Sequence, residues 1–363
     1  MNILYISNKK GWGGIVNWME KTAVGLQKRG HKVWIISNKK SKLTQEADNN
    51  IEIIPKNLGM DFNPFKIIWL VRFILKHKVD LVVTNITKEV LIGGIAAKIT
   101  KVPNIRRIGT ERDFDDPKIK EFYRLIDLTI APCKFVVESI LRNKDFIKPC
   151  EVSYVYNGCE PRYFTASEIY NFKKKFQIPT DKVILGSTCQ FSKTKNICGL
   201  IDVFAKLTEK FDNLHLILAG EGPELENINE KIKNLSLTGK VIIAGFVKDK
   251  LEIASTYDIG ILFSNLEGFS NSVVEYMAVG TPVVCSDVGG QNEIVKNDYN
   301  GFLVEHGNKE QLYERLQYLI KHSKIRENFS RNAYHTVEKN FSEIEMIDNL
   351  EKIFKDYALK RNN

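Results

Sequence analysis

Short apolar runs alternate with helical patterns along the whole chain. Near-continuous apolar strands separated by helices indicate parallel sheets that are covered on both faces. The predicted strands are residues 3–7, 32–37, 51–55, 81–84, 128–131 and 152–156 in the first half, and 183–188, 214–219, 241–244, 259–262 and 283–285 in the second.

Two such strand–helix series in one chain predict two Rossmann-like domains, each an α/β, doubly wound parallel sheet. The series restarts after residues 157–168, NGCEPRYFTASE, which offer turn chemistry. We therefore place the N-terminal domain at 1–164, the C-terminal domain at 165–341 and a last helix at 342–363. Doubly wound domains bind ligands at the carboxyl ends of their strands, so we expect the site in a central cleft that both domains face.

The composition is typical of a globular protein that is long enough for two domains. Of its 363 residues, 43% are hydrophobic and 27% are charged. The sequence has no apolar run of spanning length and does not begin like a signal peptide. Its six cysteines lack C-x-x-C spacing, which favours reduced thiols. We therefore expect a cytoplasmic protein.

Positive charge is concentrated in the first half of the chain. Residues 1–165 contain 28 Lys and Arg against 17 Asp and Glu, a balance of +11, whereas residues 166–363 contain 25 against 27, a balance of −2. An anionic membrane, an acidic acceptor or nucleic acid would each explain this excess, as would an ordinary solvated surface. Nucleic acid is the least favoured partner, because no motif interleaves aromatic and basic residues.

One segment of the first half is apolar around most of a helix. It is residues 64–78, PFKIIWLVRFILKHK, in which Lys66, Arg72, Lys76 and Lys78 form the polar side. This pattern predicts either a helix packed on the first sheet or a basic face that lies peripherally on the inner face of the plasma membrane. The sequence leaves both interpretations open.

The most informative stretch is residues 265–304, in the second half. It places Glu267 in a loop and Glu275 eight residues later on a short helix that Ser270 or Asn271 can cap. Two other Glu pairs have the same spacing, but neither precedes a buried strand and a Gly-Gly turn. Two carboxylates around a helix N-terminus suit a sugar hydroxyl, a diphosphate and a ribose in a row.

Glycine-rich turns follow other predicted strands. Residues 8–14, NKKGWGG, form either a ligand loop or a plain strand–helix turn. The turn is not G-x-G-x-x-G, and no acidic residue ends the second strand, which argues against NAD. Gly220-Glu221-Gly222-Pro223 is expected to shape a strand end.

These motifs resemble those of the retaining family 4, or group 1, glycosyltransferases, which have the GT-B fold. The resemblance implies that Glu267 accepts hydrogen bonds from donor-sugar hydroxyls and Glu275 from the ribose. Lys195 matches a lysine that holds the diphosphate, whereas the neutral Gln190 stands where the family has an arginine. The implied donor-binding residues are Gly13, Gly14, Gln190, Lys195, Phe246, Glu267, Gly268, Phe269, Ser270, Asn271, Ser272 and Glu275.

The resemblance also assigns residues near the first domain's predicted site. Arg112 lies in PNIRRIGTERDF, close to the position of a family histidine, and would be catalytic together with Glu267 and Lys195. Arg106, Arg107 and Arg112 would bind the acceptor as a basic cluster at a strand end. Alternatively, they are surface arginines that neighbouring aspartates neutralise.

The implied activity is that of a hexosyltransferase. It would move a sugar from a nucleotide-diphosphate donor, with a UDP-sugar favoured, to a hydroxyl of a glycan or lipid-linked acceptor in polysaccharide or lipopolysaccharide synthesis. No cofactor or metal is expected, because a lysine and a helix N-terminus replace the ion. An epimerase of the same fold and a non-catalytic partner subunit, which Gln190 favours, are the alternatives. The last helix is expected to return to the first domain.

Overall fold

The computed structural model describes residues 1–9, 11, 14–46, 51–58 and 63–359. The chain divides into two compact units. Unit 1 contains Met1–Asn157 together with the last helix from Glu343, and unit 2 contains Gly158–Ser342. The first boundary therefore lies at the start of the predicted turn segment rather than at residue 164.

Unit 1 is built on a seven-stranded parallel sheet. Its strands are β1 (Asn2–Ser7), β2 (Lys32–Ser37), β3 (Glu52–Pro55), β4 (Leu81–Thr84), β5 (Asn104–Arg107), β6 (Leu128–Ala131) and β7 (Val152–Tyr154). Their order, β3-β2-β1-β4-β5-β6-β7, reverses direction beside β1, as in doubly wound sheets. The helices are α1 (Gly14–Lys28), α2 (Lys42–Glu46), α3 (Pro64–Lys76), α4 (Thr87–Thr100), α5 (Lys118–Phe122) and α6 (Lys134–Asn143).

Unit 2 contains a six-stranded parallel sheet. Its strands are β8 (Val183–Thr188), β9 (Leu214–Ala219), β10 (Val241–Gly245), β11 (Ile259–Leu262), β12 (Val283–Ser286) and β13 (Gly301–Val304), in the order β10-β9-β8-β11-β12-β13. The helices are α7 (Ala166–Lys175), α8 (Ile197–Thr208), α9 (Leu225–Asn234), α10 (Lys250–Ala254), α11 (Asn271–Ala278), α12 (Gln291–Ile294), α13 (Lys309–Lys321) and α14 (Ser323–Asn340).

Each sheet is buried on both faces, which explains the apolar runs. In β1, Ile3 and Tyr5 belong to one core cluster, whereas Leu4 and Ile6 belong to the cluster that includes residues of α3. Alternate side chains of a strand point to opposite faces, so a strand covered on both sides must be apolar throughout. The two-domain Rossmann-like prediction is confirmed.

The last helix, α15 (Glu343–Leu359), packs within unit 1 against α1. A Cβ at Gly25 of α1 would lie 2.7 Å from Ile347, so the glycine permits close approach of the two helices. At the edge of this contact, the Glu351 carboxylate lies 2.7 Å from His31 and 3.2 Å from Arg29. The apolar contact and the ion pairs together fix α15 on unit 1.

The α3 helix is apolar on its exposed face as well as on its buried face. Phe65, Ile68 and Leu75 are 82%, 50% and 59% exposed, and the exposed Arg72 and Lys76 lie among them at helical spacing. No acidic residue occurs in the helix. Among the described residues, no helix is both long and apolar enough to cross a membrane.

Two strands were not predicted, β5 and β13. The β5 strand is NIRR, whose four side chains are buried although three of them are polar or charged. The β13 strand is GFLV, a short run that begins with glycine. Periodicity alone does not identify strands of this kind, because their burial comes from the neighbouring strands.

Candidate active site

Two neighbouring strands of unit 2, β8 and β11, bring their following loops to the same sheet edge. The first loop ends in a 3₁₀ turn at Lys193–Lys195, and the second leads into α11. The Asn265 backbone N–H donates to the Thr194 carbonyl at 2.7 Å, which ties the loops together. The sheet topology therefore places Lys195 beside the first glutamate of the motif.

An ion pair between Lys195 and Glu267 joins the two loops. Both side chains are largely enclosed, with exposed fractions of 21% and 9%. An enclosed carboxylate needs a partner, because an unpaired buried charge is strongly unfavourable. The pair holds a cation and a hydrogen-bond acceptor side by side at the strand ends.

The loop after β12 supports the backbone of Glu267. Gly289 has φ +65°, and a Cβ at this position would lie 2.1 Å from the Glu267 carbonyl oxygen. The Gly290 N–H donates to the Gly268 carbonyl at 2.8 Å. The Gly-Gly turn of the sequence motif is thus required by close backbone approach.

The α11 helix positions Glu275 at the same edge. Ser270 is its N-cap and accepts a hydrogen bond from the Val273 N–H, while Ser272 Oγ donates to the Thr188 carbonyl at 2.7 Å. These two serines were predicted to bind the donor. Their hydroxyl groups form the hydrogen bonds that hold the N-terminus of α11 in place. Glu275 is buried, and one carboxylate oxygen, Oε2, has no hydrogen-bond partner among the described residues.

The turn Gly220–Gly222 supports the loop after β8. A Cβ at Gly220 would lie 1.9 Å from the Cys189 carbonyl oxygen, and one at Gly222 would lie 2.2 Å from that of Phe191. The turn therefore has the structural role expected of it. Gln190, which lies on the loop after β8 between Cys189 and Phe191, is exposed to solvent.

The remaining predicted donor residues occupy different surroundings. Phe246 follows β10 and is 61% exposed, whereas Phe269 is buried against Phe341 with ring centroids 5.9 Å apart. Gly268 and Asn271 lie between the two glutamates, as the motif requires. In unit 1, Gly14 is the first residue of α1. Gly13 lies outside the described residues.

Cys189 and Lys250 were not predicted as site residues. Burial raises the pKa of the Cys189 thiol to about 11, while the opposing charges of Lys195 and Lys250 act to lower it. The Lys250 ammonium lies 3.5 Å from Glu275 Oε1. Sequence spacing gives no signal for this pair, because Lys250 follows a different strand.

The predicted arginine cluster of unit 1 needs correction. Arg106 and Arg107 lie on β5 and are buried, at 1% and 4% exposed, and only Arg112 is exposed. Arg106 donates to the backbone carbonyls of Asn85 and Asp113 at 3.1 and 2.6 Å. The three side chains therefore do not form one surface patch, because β5 is an interior strand that directs two of them inward.

Burial also perturbs these two guanidinium groups. Desolvation lowers the pKa of each to about 10, although the Asp113 charge opposes the shift. Arg106 lies over the Phe114 ring at 4.5 Å, and Arg107 lies over the Trp18 ring at 5.2 Å. Aromatic faces thus compensate part of the lost hydration.

A buried carboxylate in unit 1, Glu89, was not predicted. It accepts backbone hydrogen bonds from Asn8, Asn85 and Ile86 at 2.5, 2.9 and 3.1 Å, so it ties the turn after β1 to the turn after β4. Burial raises its pKa, and these hydrogen bonds oppose the rise. Its only sequence signal is an acidic residue in the first turn of α4.

Asp113 and Asp115 have the D-x-D spacing. Asp113 Oδ2 accepts from the Gly109 N–H at 2.6 Å, and Asp115 pairs with Lys144 at 3.2 Å. In the part of the chain that the structure describes, no group of three or more His, Cys, Asp and Glu side chains is arranged to hold a metal.

Two family models match the chain, one in each half. Residues 12–163 match Glycosyltransferase Family 4, and residues 168–336 match Glycosyl transferases group 1. The chain belongs to the family 4 glycosyltransferases. The motif-based assignment is therefore confirmed at the level of the family.

Relatives of this glycosyltransferase match over most of its length. CapM of Staphylococcus aureus, a capsular polysaccharide biosynthesis glycosyltransferase, is 25% identical over 92% of each chain. The UDP-Gal:α-D-GlcNAc-diphosphoundecaprenol α-1,3-galactosyltransferase of Escherichia coli is 20% identical over 90% of this chain and 89% of its own. A third relative, the N-acetyl-α-D-glucosaminyl L-malate synthase of Bacillus anthracis, is 27% identical over 58% of this chain and 56% of its own.

Solved structures share the fold. Alr3699/HepE of Anabaena, in complex with UDP and glucose, superposes with a TM-score of 0.84 at 20% identity, over 97% of this chain and 99% of its own. At this identity the similarity establishes the GT-B fold alone.

Replacing Gly289 by Ala is expected to lower transferase activity by about tenfold or more. The added Cβ must displace the Glu267 backbone, and displacements of about 1 Å at a site can reduce rates on the order of 100-fold. The control is Gly307→Ala. Gly307 also has positive φ but open space around its Cβ position, so this change should reduce stability by about 1 kcal/mol and leave activity intact.

Activity per folded enzyme and thermal unfolding of both variants provide the measurement. Equal activity losses in the two variants would show that the Gly289 contact does not position Glu267.

Proposed function

We propose that the protein transfers a sugar from a nucleoside-diphosphate donor bound on unit 2 to an acceptor hydroxyl, with retention of the anomeric configuration. The observation that supports this best is the enclosed Lys195–Glu267 pair beside the buried, incompletely paired Glu275. Glu267 would accept hydrogen bonds from the sugar, and Glu275 from the ribose. Charges and acceptors held at one sheet edge in this way favour a charged leaving group.

A UDP-sugar is the favoured donor. The E. coli relative is named for UDP-Gal, and the Anabaena structure contains UDP. The exposed ring of Phe246 and the backbone at Gly245 would contact the base. Lys195, Gln190 and the N-terminus of α11 would face the diphosphate.

The acceptor would be a hydroxyl of a glycan or of a lipid-linked sugar in cell-surface polysaccharide or lipopolysaccharide synthesis. The names of the two relatives support this class, one through a capsular polysaccharide and the other through a diphosphoundecaprenol-linked sugar. Arg112 is the exposed member of the predicted acceptor set and would contact the acceptor, whereas Arg106 and Arg107 are buried.

In the proposed step, the acceptor oxygen forms a bond to the anomeric carbon as that carbon separates from the donor diphosphate. The acceptor proton passes to the departing diphosphate oxygen, so the reaction needs no enzymic base or covalent intermediate. Attack and departure on one face give retention. Lys195 would stabilise the departing charge in place of a metal ion.

The substitution Glu267→Ala tests this assignment. We expect transfer to be abolished, because the sugar loses its acceptor, while UDP binding persists since Lys195 remains. The control is Glu230→Ala, an exposed glutamate of α9 that is expected to retain full activity. A nucleotide at about 100 times its dissociation constant should stabilise each protein by about 2.7 kcal/mol.

Turnover with UDP-sugars, NMR of the product's anomeric centre and thermal shifts with UDP, GDP, ADP, CDP and NAD give the readouts. Normal turnover by Glu267→Ala would remove that residue from the proposal, and stabilisation by NAD alone would contradict the donor class.

We further propose a cytoplasmic location with peripheral contact to the inner face of the plasma membrane, through α3. Its exposed stripe combines Phe65, Ile68 and Leu75 with Arg72 and Lys76 and contains no acidic residue. Apolar side chains beside cations suit the boundary between anionic headgroups and acyl chains.

Replacing Phe65, Ile68 and Leu75 together by Ser should weaken binding to vesicles that contain phosphatidylglycerol by about tenfold or more, because the apolar anchors are lost. The control replaces Tyr170, Leu235 and Tyr299, exposed apolar residues of unit 2, by Ser. Co-sedimentation with phosphatidylglycerol and with phosphatidylcholine vesicles measures both effects. Unchanged binding by the α3 variant would refute this surface.

A further inference from the structure

The site of unit 2 has a neutral side chain where charge is expected. Gln190, exposed on the loop after β8, donates hydrogen bonds but does not neutralise a diphosphate. Lys195 is the cation of this loop next to Glu267. A second cation from another loop would help to neutralise a diphosphate bound there.

Lys250 is placed to supply that cation. It begins α10, which follows β10, and Asp249 caps this short helix by accepting from the Leu251 N–H at 3.0 Å. The Lys250 ammonium lies 3.5 Å from Glu275 Oε1, and its side chain is 40% exposed. The lysine is thus fixed at its backbone but open to solvent at its charged end.

The α11 helix connects Lys250 to the loop after β8. Lys250 pairs with Glu275 of this helix, and Ser272 of the same helix donates to the carbonyl of Thr188, the last residue of β8, at 2.7 Å. The Lys250 ammonium therefore lies on the side of α11 that is anchored beside the loop carrying Gln190.

The two carboxylate oxygens of Glu275 differ in their surroundings. Oε1 faces Lys250, whereas Oε2 is buried without a hydrogen-bond partner among the described residues. A buried acceptor without a partner is unfavourable by about 1–3 kcal/mol, so a hydroxyl donor at this point would be stabilising. The carboxylate is therefore suited to a ribose while its other oxygen orients Lys250.

We propose that Lys250 is a second phosphate-binding residue of the donor site and compensates for the neutral Gln190. When the donor binds, hydroxyls of the sugar and of the ribose donate hydrogen bonds to Glu267 and Glu275. The ammonium groups of Lys195 and Lys250 then pair with the diphosphate instead of with these carboxylates. The flexible lysine stem permits such an exchange of partners. This inference rests on the proposed function, since it needs a nucleoside diphosphate on unit 2.

Calorimetric titration of UDP and of uridine into the wild-type protein and Lys250→Met tests the proposal. Lys250→Met should weaken UDP by about tenfold to a hundredfold, as for the loss of a charged hydrogen bond, and leave uridine nearly unchanged. The control is Lys248→Met, which removes an exposed lysine two positions away and should change neither affinity. Lys250→Arg keeps the charge and should retain the preference for UDP.

Each outcome decides a different point. Unchanged UDP affinity in Lys250→Met overturns the inference, as does an equal loss for UDP and uridine, which would show that Lys250 only orients Glu275. A loss of preference in Lys250→Arg as large as in Lys250→Met also overturns it. If the folded wild-type protein binds none of UDP, GDP, ADP and CDP, the proposed function fails and the inference fails with it.

Thermal unfolding without nucleotide separates these effects from misfolding. Because Lys250→Met removes the charged partner of the buried Glu275, it should unfold at a lower temperature than the wild type, and the titrations are made well below that temperature, where both proteins are folded.

Discussion

The ion pair between Lys195 and Glu267 is the interaction on which the candidate active site depends. It joins loops that follow two neighbouring strands, and it gives a largely enclosed carboxylate a charged partner. The carboxylate oxygens accept hydrogen bonds only, whereas the ammonium provides donors and positive charge. Sugar hydroxyls and a diphosphate need these two properties side by side.

The surrounding structure fixes this pair through the backbone rather than through further charges. Gly289 allows one loop to approach Glu267 closely, and Gly220 and Gly222 allow the turn after β9 to lie under the neighbouring loop. Parallel topology brings all these turns to one sheet edge. These close backbone contacts determine where the side chains of this edge lie.

In unit 1, unlike at the candidate site of unit 2, several charged side chains are buried and support the backbone. Glu89 and Arg106 are buried beneath the strand ends, where they bind backbone groups of adjacent turns, so much of their role is structural. The positive surface of this unit is instead provided by residues such as Arg72 and Lys76 on α3. Net charge counted along the sequence did not distinguish these two populations of cations.

Sequence patterns predicted the features that depend on the periodicity of apolar residues or on residues close together in the chain. The apolar runs gave the two sheets, and the spacing of Glu267 and Glu275 with the Gly-Gly turn identified the family. Burial of Arg107 on the polar strand β5 was not predictable, because it comes from the neighbouring strands. The pairing of Lys250 with Glu275 depends on two loops that are adjacent only in the folded sheet.

Hydrogen–deuterium exchange with and without the nucleoside diphosphate that stabilises the protein tests the central claim most directly, namely that unit 2 holds the donor at the Lys195–Glu267 pair. Binding at this pair should slow exchange in peptides that cover residues 189–196 and 265–275. Slower exchange confined to peptides of unit 1, such as residues 104–114, with no change in unit 2, would contradict it.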